Sequence, residues 1–298
     1  MEVALKVDVD THQGLGEGVP RLQRLLTTHG VTATFFIAMG PDNSGRAVMR
    51  LLRNPGFIAK MRRTRAVSMY GLRTILSGTL LPARQIARAF PEIIRELMRA
   101  GFEVGVHGYD HVRWQDRLDA IGEAGIGAEI DQAFALFDAI AGAPATCFAA
   151  PGWRTNGAAL AALDTRQLHY RSDTRGRSPY RCKLGGRVLA TPEIPTTWPT
   201  LDEILGTPAL AAAGSIPRFY LGQLRDDALN VHTIHAETEG MGQLEAFSGL
   251  IDALKARGAR FVKLGDVAAQ LDAKQLPLHE VIRTTLPGRA GWISAQAP

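Results

Sequence analysis

Residues 91–107, PEIIRELMRAGFEVGVH, set the fold class. Proline fits the first turn of a helix, and a glycine just past the last turn takes the left-handed cap conformation with little strain. Pro91 and Gly101 therefore bracket a helix over 91–100, and FEVGVH after it reads as a strand. The pattern occurs three more times: 17–29 end at Gly30 before VTATFFIA, 128–141 at Gly142 before ATCFAA, and 244–257 at Gly258 before RFVKL. Helices alternating with short apolar runs imply a parallel sheet covered by helices. At 298 residues the expectation is one large α/β domain, a (β/α) barrel, complete or not, rather than an open sheet. No G-x-G-x-x-G follows the first strand and no Walker loop is present, which removes support for a nucleotide fold.

The apolar share of 46% and charged share of 21% are those of a globular chain. Its net charge of +5 is unevenly spread. From Asn43 through Pro91 there is no acidic residue and there are ten basic ones, leaving 24 of the 34 basic residues to face all 29 acidic ones elsewhere. A mildly acidic domain over 1–275 thus carries a basic insertion at 43–90, and a tail over 276–298 containing three prolines reads as irregular. Two cysteines, Cys147 and Cys182, are too few for a disulfide framework. The start of the chain lacks a signal-peptide pattern, and no apolar run reaches the ~18–20 residues that span a bilayer. The expectation is a cytoplasmic protein, soluble or peripheral on a membrane.

Functional side chains in parallel α/β domains gather where strands end. Those ends read Asp8-Val9-Asp10, His107-Gly-Tyr-Asp-His111, Ala150-Pro151-Gly152-Trp153-Arg154, Asp173 after LHYRS, and His235 closing NVHTIH. Asp8 and Asp10 alternate by two, so on one strand both carboxylates face the same side, an arrangement that calls for a cation. The alternative is that the strand has already ended and both are solvated caps. His107 and His111, four apart, share a face on a helical turn, a metal spacing that also arises by chance. One carboxylate with two imidazoles leaves coordination positions open to water and substrate, the pattern of a catalytic divalent-metal site.

Taken together these residues resemble the NodB-type carbohydrate deacetylases, metal-dependent amide hydrolases on a distorted (β/α) barrel. The stretches VDVDT, EGVPRL, GPDNSGR, SMYG, AAPGWR, YRSD, TIHAE and PGRAGW are similar, from end to end of the chain, to the branch that deformylates undecaprenyl-phosphate-linked formamido-arabinose. That branch acts in lipid A modification with aminoarabinose, which underlies resistance to polymyxin. The resemblance implies Asp10, His107 and His111 as ligands of one divalent ion, with Zn, Co, Mn and Ni all compatible. It further implies Asp8 as general base, His235 as general acid, Asp173 as the carboxylate that orients and charges the histidine, and Gly152, Trp153 and Arg154 as substrate or oxyanion contacts. Two departures matter. Val9 separates aspartates that the broader family keeps adjacent, which leaves the base and ligand roles of Asp8 and Asp10 exchangeable. The family's arginine two positions before the third-motif proline is Ala149 here, with Arg154 a candidate to supply the charge from the other side.

Plainer readings stand beside these. His12, His29, His169, His232 and His279 are expected to pack or face solvent, Trp153 either plugs the barrel or lines the site, and Cys147 is expected to be buried. The basic insertion can be a solvated face, a nucleic-acid surface or a membrane contact. Few aromatics and no RNA-binding signature argue against nucleic acid. Apolar residues between arginines suit an anionic inner-membrane surface, where each basic residue contributes about 1 kcal/mol. Lys60, Arg62, Arg63 and Arg65 are the expected membrane or lipid-phosphate contacts, and a polyprenyl-phosphate-linked amino sugar is the expected partner. Two rival functions remain: deacetylation of another N-acyl sugar, and a non-catalytic membrane- or nucleic-acid-binding module.

Overall fold

The computed structural model describes residues 1–46, 77–287, 289 and 291–298. Lys60, Arg62, Arg63 and Arg65 lie outside the described residues. The strands in chain order are β1 (Glu2–Val9), β2 (Thr34–Ile37), β3 (Glu103–Val106), β4 (Cys147–Phe148), β5 (Tyr170–Arg171), β6 (Tyr180–Leu184), β7 (Arg187–Glu193), β8 (Asn230–His235), β9 (Arg260–Val262), β10 (Leu278–Thr284) and β11 (Ile293–Gln296). Parallel pairing runs β8-β1-β2-β3-β4-β5-β7, and β9 extends the β2 side of β1. Residues 196–198 bridge the two edges. The N–H groups of Thr197 and Trp198 donate to Val231 O at 3.1 Å, and the hydroxyls of Thr196 and Thr233 meet at 2.7 Å. The expected distorted (β/α) barrel is thus joined on one side by irregular chain.

All four glycine-ended helices form: Val19–His29, Pro91–Arg99, Gly122–Ala141 and Leu244–Ala256. Gly30, Gly101, Gly142 and Gly258 each take positive φ just beyond them. The third helix begins six residues earlier than the sequence suggested, because Gly122, Gly125 and Gly127 weaken the helical signal over its exposed first turns. Along β1 the two-residue period sorts the side chains. Val3, Leu5, Val7 and Val9 pack beneath the helices, while Ala4 joins Phe36, Cys147, Ala149, Tyr170 and Val231 in a separate apolar cluster. Lys6 and Asp8 continue the Ala4 row toward the carboxyl end of the strand. Packing in that cluster is tight: a Cβ on Gly105 would lie 2.5 Å from Cys147 Sγ and 2.9 Å from Phe36 Cε1.

One part of the chain differs from the sequence expectation. Residues 276–298 form strands, not an irregular tail: β10 runs parallel to β6, and β11 returns antiparallel on β10. The mix of exposed and half-buried residues along β10 hid that strand among the prolines. The hairpin of β6 and β7 turns on Gly185-Gly186, both at positive φ, as a tight two-residue turn requires. The basic insertion leaves and re-enters through a closed neck. Gly45 N–H donates to Ser77 O at 2.9 Å, Asp42 N–H to Arg84 O at 2.7 Å, and Ser77 Oγ to Asp42 O at 2.7 Å.

Candidate metal-binding active site

Asp8 ends the pairing of β1 with β8, in register with His235, which brings the two side chains to neighbouring positions of the barrel mouth. Asp10 lies one residue past β1, yet its carboxylate stays with that of Asp8: His107 Nε2 is 3.8 Å from Asp8 Oδ2 and 3.3 Å from Asp10 Oδ1. His111 Nε2 is 3.4 Å from the same Asp10 oxygen. The two histidines do not share a helical turn as the spacing suggested. His107 extends β3, its N–H donating to Ile37 O, and His111 is the first residue of the helix His111–Arg117. Gly108 at φ 74° turns the chain between them, and Asp110 caps the helix by accepting from Arg113 N at 2.9 Å. Their ring centroids are 5.3 Å apart.

These three side chains are suited to a cation. Their ligand atoms all lie within 4.8 Å of one another. Asp10 Oδ1 is buried without a hydrogen-bond partner, its contacts to the imidazoles lacking hydrogen-bond geometry. His107 Nδ1 lies 2.8 Å from Ala149 O, and donating to that carbonyl leaves Nε2 with a lone pair for a metal. Burial would raise the Asp10 carboxyl, but the facing imidazoles of His111, His107 and His235 outweigh it and hold the group well below the usual carboxylate range. For His235 burial favours the neutral ring, whereas the charges of Asp202, Asp10, Asp8 and Glu239 reverse this and push its pKa up to about 9.

Two glutamates after β8 brace the rim, and sequence reasoning assigned them no role. Glu237 Oε1 accepts from Asp10 N (3.0 Å), Thr11 N (2.9 Å) and Thr11 Oγ1 (2.8 Å), tying the chain beyond β1 to the chain beyond β8. Glu239 Oε2 accepts from His235 N at 2.9 Å. Burial pushes both carboxyls up to about 7. Two carboxylates at i+2 and i+4 from a strand-ending histidine were the available signal.

Beneath the rim lies a second charged layer. Lys6, fully buried, donates to Ser172 O at 2.8 Å and sits 3.8 Å from Asp8 Oδ2. Asp173 Oδ1 accepts from Ala150 N at 2.9 Å, which supports the Pro151–Trp153 turn, and its own N–H donates to Glu193 Oε1 at 2.6 Å. The carboxylates whose charge chiefly raises His235 are therefore those of Asp202 and the rim, while Asp173 braces the loop. Burial and the neighbouring Glu193 push Asp173 up to about 7.

Gly152 and Trp153 both take left-handed φ, 62° and 52°. Trp153 is 1% exposed, holds Thr196 Oγ1 through Nε1 at 3.0 Å and stands edge-on to His235 with centroids 6.5 Å apart. It is packed inside the barrel beside His235, as the plugging alternative expected. Its N–H donates to Ala150 O. Arg154 turns toward the tail: Nε donates to Trp292 O at 3.2 Å and Nη1 to Gln115 O. A cation beside Asp8 is that of Lys6, 3.8 Å from Asp8 Oδ2. His232 is buried between Trp198 and Tyr220, and burial lowers its pKa to about 3.

A family model described as "Polysaccharide deacetylase" matches residues 2–171, more than half of the chain. The chain belongs to the polysaccharide deacetylase family and is an amide hydrolase by class. It is 37% identical over 99% of its length, and 95% of the relative's, to a protein of Shewanella sediminis described as a 4-deoxy-4-formamido-L-arabinose-phosphoundecaprenol deformylase, ArnD. A protein of Wigglesworthia glossinidia brevipalpis with the same description is 33% identical over 94% of this chain and 96% of its own. The crystal structure of a protein described as a polysaccharide deacetylase from Mycobacterium smegmatis shares the fold, with a TM-score of 0.65 at 22% identity, covering 96% of this chain and 94% of that one.

Proposed function

We propose that the chain is a metal-dependent deformylase that hydrolyses the formamide of undecaprenyl-phosphate-linked 4-deoxy-4-formamido-L-arabinose to the free amine and formate, in lipid A modification. The observation that carries this is the Asp10–His107–His111 cluster, flanked by Asp8 and His235 in register on adjacent strands. The description of the relatives supplies the substrate. Bound by Asp10, His107 and His111, a divalent ion supplies Lewis-acid polarisation and a water of lowered pKa. The close approach of Asp10 Oδ1 to both imidazoles favours Asp10 as ligand and Asp8 as base. Asp8 Oδ1, buried without a hydrogen-bond partner, takes the proton of the attacking water as its oxygen bonds to the formyl carbon. The Gly152 N–H is the loop donor assigned to the oxyanion. As the C–N bond breaks, protonated His235 gives its proton to the leaving sugar amine.

The same reading places the enzyme on the cytoplasmic face of the inner membrane as a peripheral protein. Leu80 and Leu81 are exposed at the neck of the basic insertion, and no helix among the described residues is long and apolar enough to cross a bilayer. Co-sedimentation with vesicles tests this: binding should require anionic lipid and weaken with salt, and indifference to both would refute it. The activity is tested by formate release from the lipid-linked formamido sugar beside acetate release from a simple N-acetyl sugar. Formate release should dominate; acetate release alone would make the chain a deacetylase.

A further inference from the structure

We infer that Arg175 and Arg289, packed on Trp153, form an anion subsite that takes the phosphate of the glycosyl phosphate substrate, an inference that rests on the reading just given. The Cζ atoms of Arg289 and Arg175 lie 4.4 and 5.1 Å from the Trp153 ring centroid, and the same ring stands edge-on to His235. A sugar whose amide nitrogen reaches His235 therefore has cationic groups across one indole from its reacting end.

The two guanidiniums share one hydrogen-bonded carboxylate, with the charge of Asp202 also acting on Arg175. Both converge on one carboxylate: Arg175 Nη1 donates to the two oxygens of Glu203 at 3.0 and 3.1 Å, and Arg289 Nη1 to Oε1 at 3.3 Å. Arg175 Nη2 is committed to Trp198 O at 2.7 Å. Among the described residues Arg289 makes no other side-chain hydrogen bond, so Nε and Nη2 remain for a ligand. The side chains are 12% and 14% exposed, reachable at one edge while mostly desolvated. A guanidinium carries five donors in a rigid fork that matches phosphate oxygens, and partial burial strengthens each contact.

The chain is built to hold Arg289 there. The loop before β11 is tied down by Arg289 N–H donating to Leu286 O, and by Trp292, whose ring lies 4.0 Å from Arg283 Cζ and 5.0 Å from Arg154 Cζ. Ser294 Oγ then accepts from Thr155 N at 3.0 Å, and Ser294 O accepts from Arg175 N at 3.0 Å, binding the tail to the loop that carries Trp153. Arg175, Glu203 and Arg289 all lie beyond residues 2–171, the part matched by the general deacetylase family.

The test compares wild type with Arg289→Gln on three formamido-arabinose substrates: polyprenyl-phosphate-linked, the glycosyl phosphate without lipid, and a methyl glycoside without phosphate. The ratio of kcat/KM for the glycosyl phosphate to that for the methyl glycoside should fall about 10- to 100-fold in the variant, the scale of one charge-assisted hydrogen bond, chiefly through KM. Arg289→Lys should recover part of the ratio. A general loss of structure lowers both substrates together and leaves the ratio unchanged, so an unchanged ratio overturns the subsite. A loss confined to the lipid-linked substrate overturns it too, because the arginine would then read lipid. If wild type releases no formate from any of the three, the substrate reading fails and the subsite fails with it.

Discussion

At the rim of the barrel, Asp10 faces three imidazoles, which hold its carboxyl well below the usual range against the burial that would raise it. One layer down, Asp173 faces Glu193, and burial together with that second carboxylate pushes it up to about 7. Both are aspartates at strand ends inside one barrel, and their surroundings separate them. The rim leaves acceptors without hydrogen bonds, Asp8 Oδ1 and Asp10 Oδ1, where a cation and a water proton are needed. The lower layer commits one oxygen of each carboxylate to backbone N–H groups, with Asp173 holding Ala150 and Glu193 holding Asp173 and Thr174, and leaves Asp173 Oδ2 and Glu193 Oε2 without a partner. On the proposed function the rim performs the chemistry and the layer beneath keeps it in place.

Asp8→Asn is the harshest way to break this division. It should lower kcat about 10²- to 10⁴-fold, the usual worth of a general base, while metal analysis still finds one ion per chain. A protein that loses its metal instead would exchange the roles of Asp8 and Asp10. Glu237→Ala touches no substrate but frees Asp10 and Thr11, so it should weaken metal affinity about 10- to 100-fold in a chelator competition. Glu237→Gln keeps an acceptor and should lose less. Unchanged affinity in the alanine variant would remove Glu237 from the support of the rim.

A pH profile sharpens the comparison further. Raised to about 9, His235 keeps its proton through neutrality and loses it as pH climbs past that value. Turnover should therefore hold to about pH 9 and then fall roughly tenfold per unit; a decline already complete by pH 7 would show that the carboxylates around His235 do not keep it charged. Smallest is the effect of Asp173→Asn on stability. A carboxyl raised in the folded state favours folding at low pH, and that contribution is lost as pH rises from about 4 through about 7. The melting temperature of the variant relative to wild type should thus improve by several degrees between pH 5 and pH 8. A constant difference would mean that Asp173 does not titrate in that window.

Much of this was legible in the chain. Glycine caps located four helices and the strands after them because capping is local chemistry, and strand-end positions collected Asp8, Asp10, His107, His111 and His235. What escaped was set by long-range contact or weak local preference. Nothing near Lys6 announces that it will be buried beside Asp8, since that depends on how the barrel closes. Glu203 meets Arg175 and Arg289 across 28 and 86 residues of sequence. Glycines in the helix Gly122–Ala141 and prolines around β10 diluted the patterns that would have marked both.

Stripping the metal with a chelator and restoring it while following formate release from the lipid-linked formamido sugar tests the central claim most directly. Stripped protein should be inactive and should regain turnover linearly up to one equivalent of divalent ion per chain, with Asp10→Asn failing to recover at that dose. Undiminished formate release from the metal-free protein, or full recovery by Asp10→Asn at one equivalent, would contradict it.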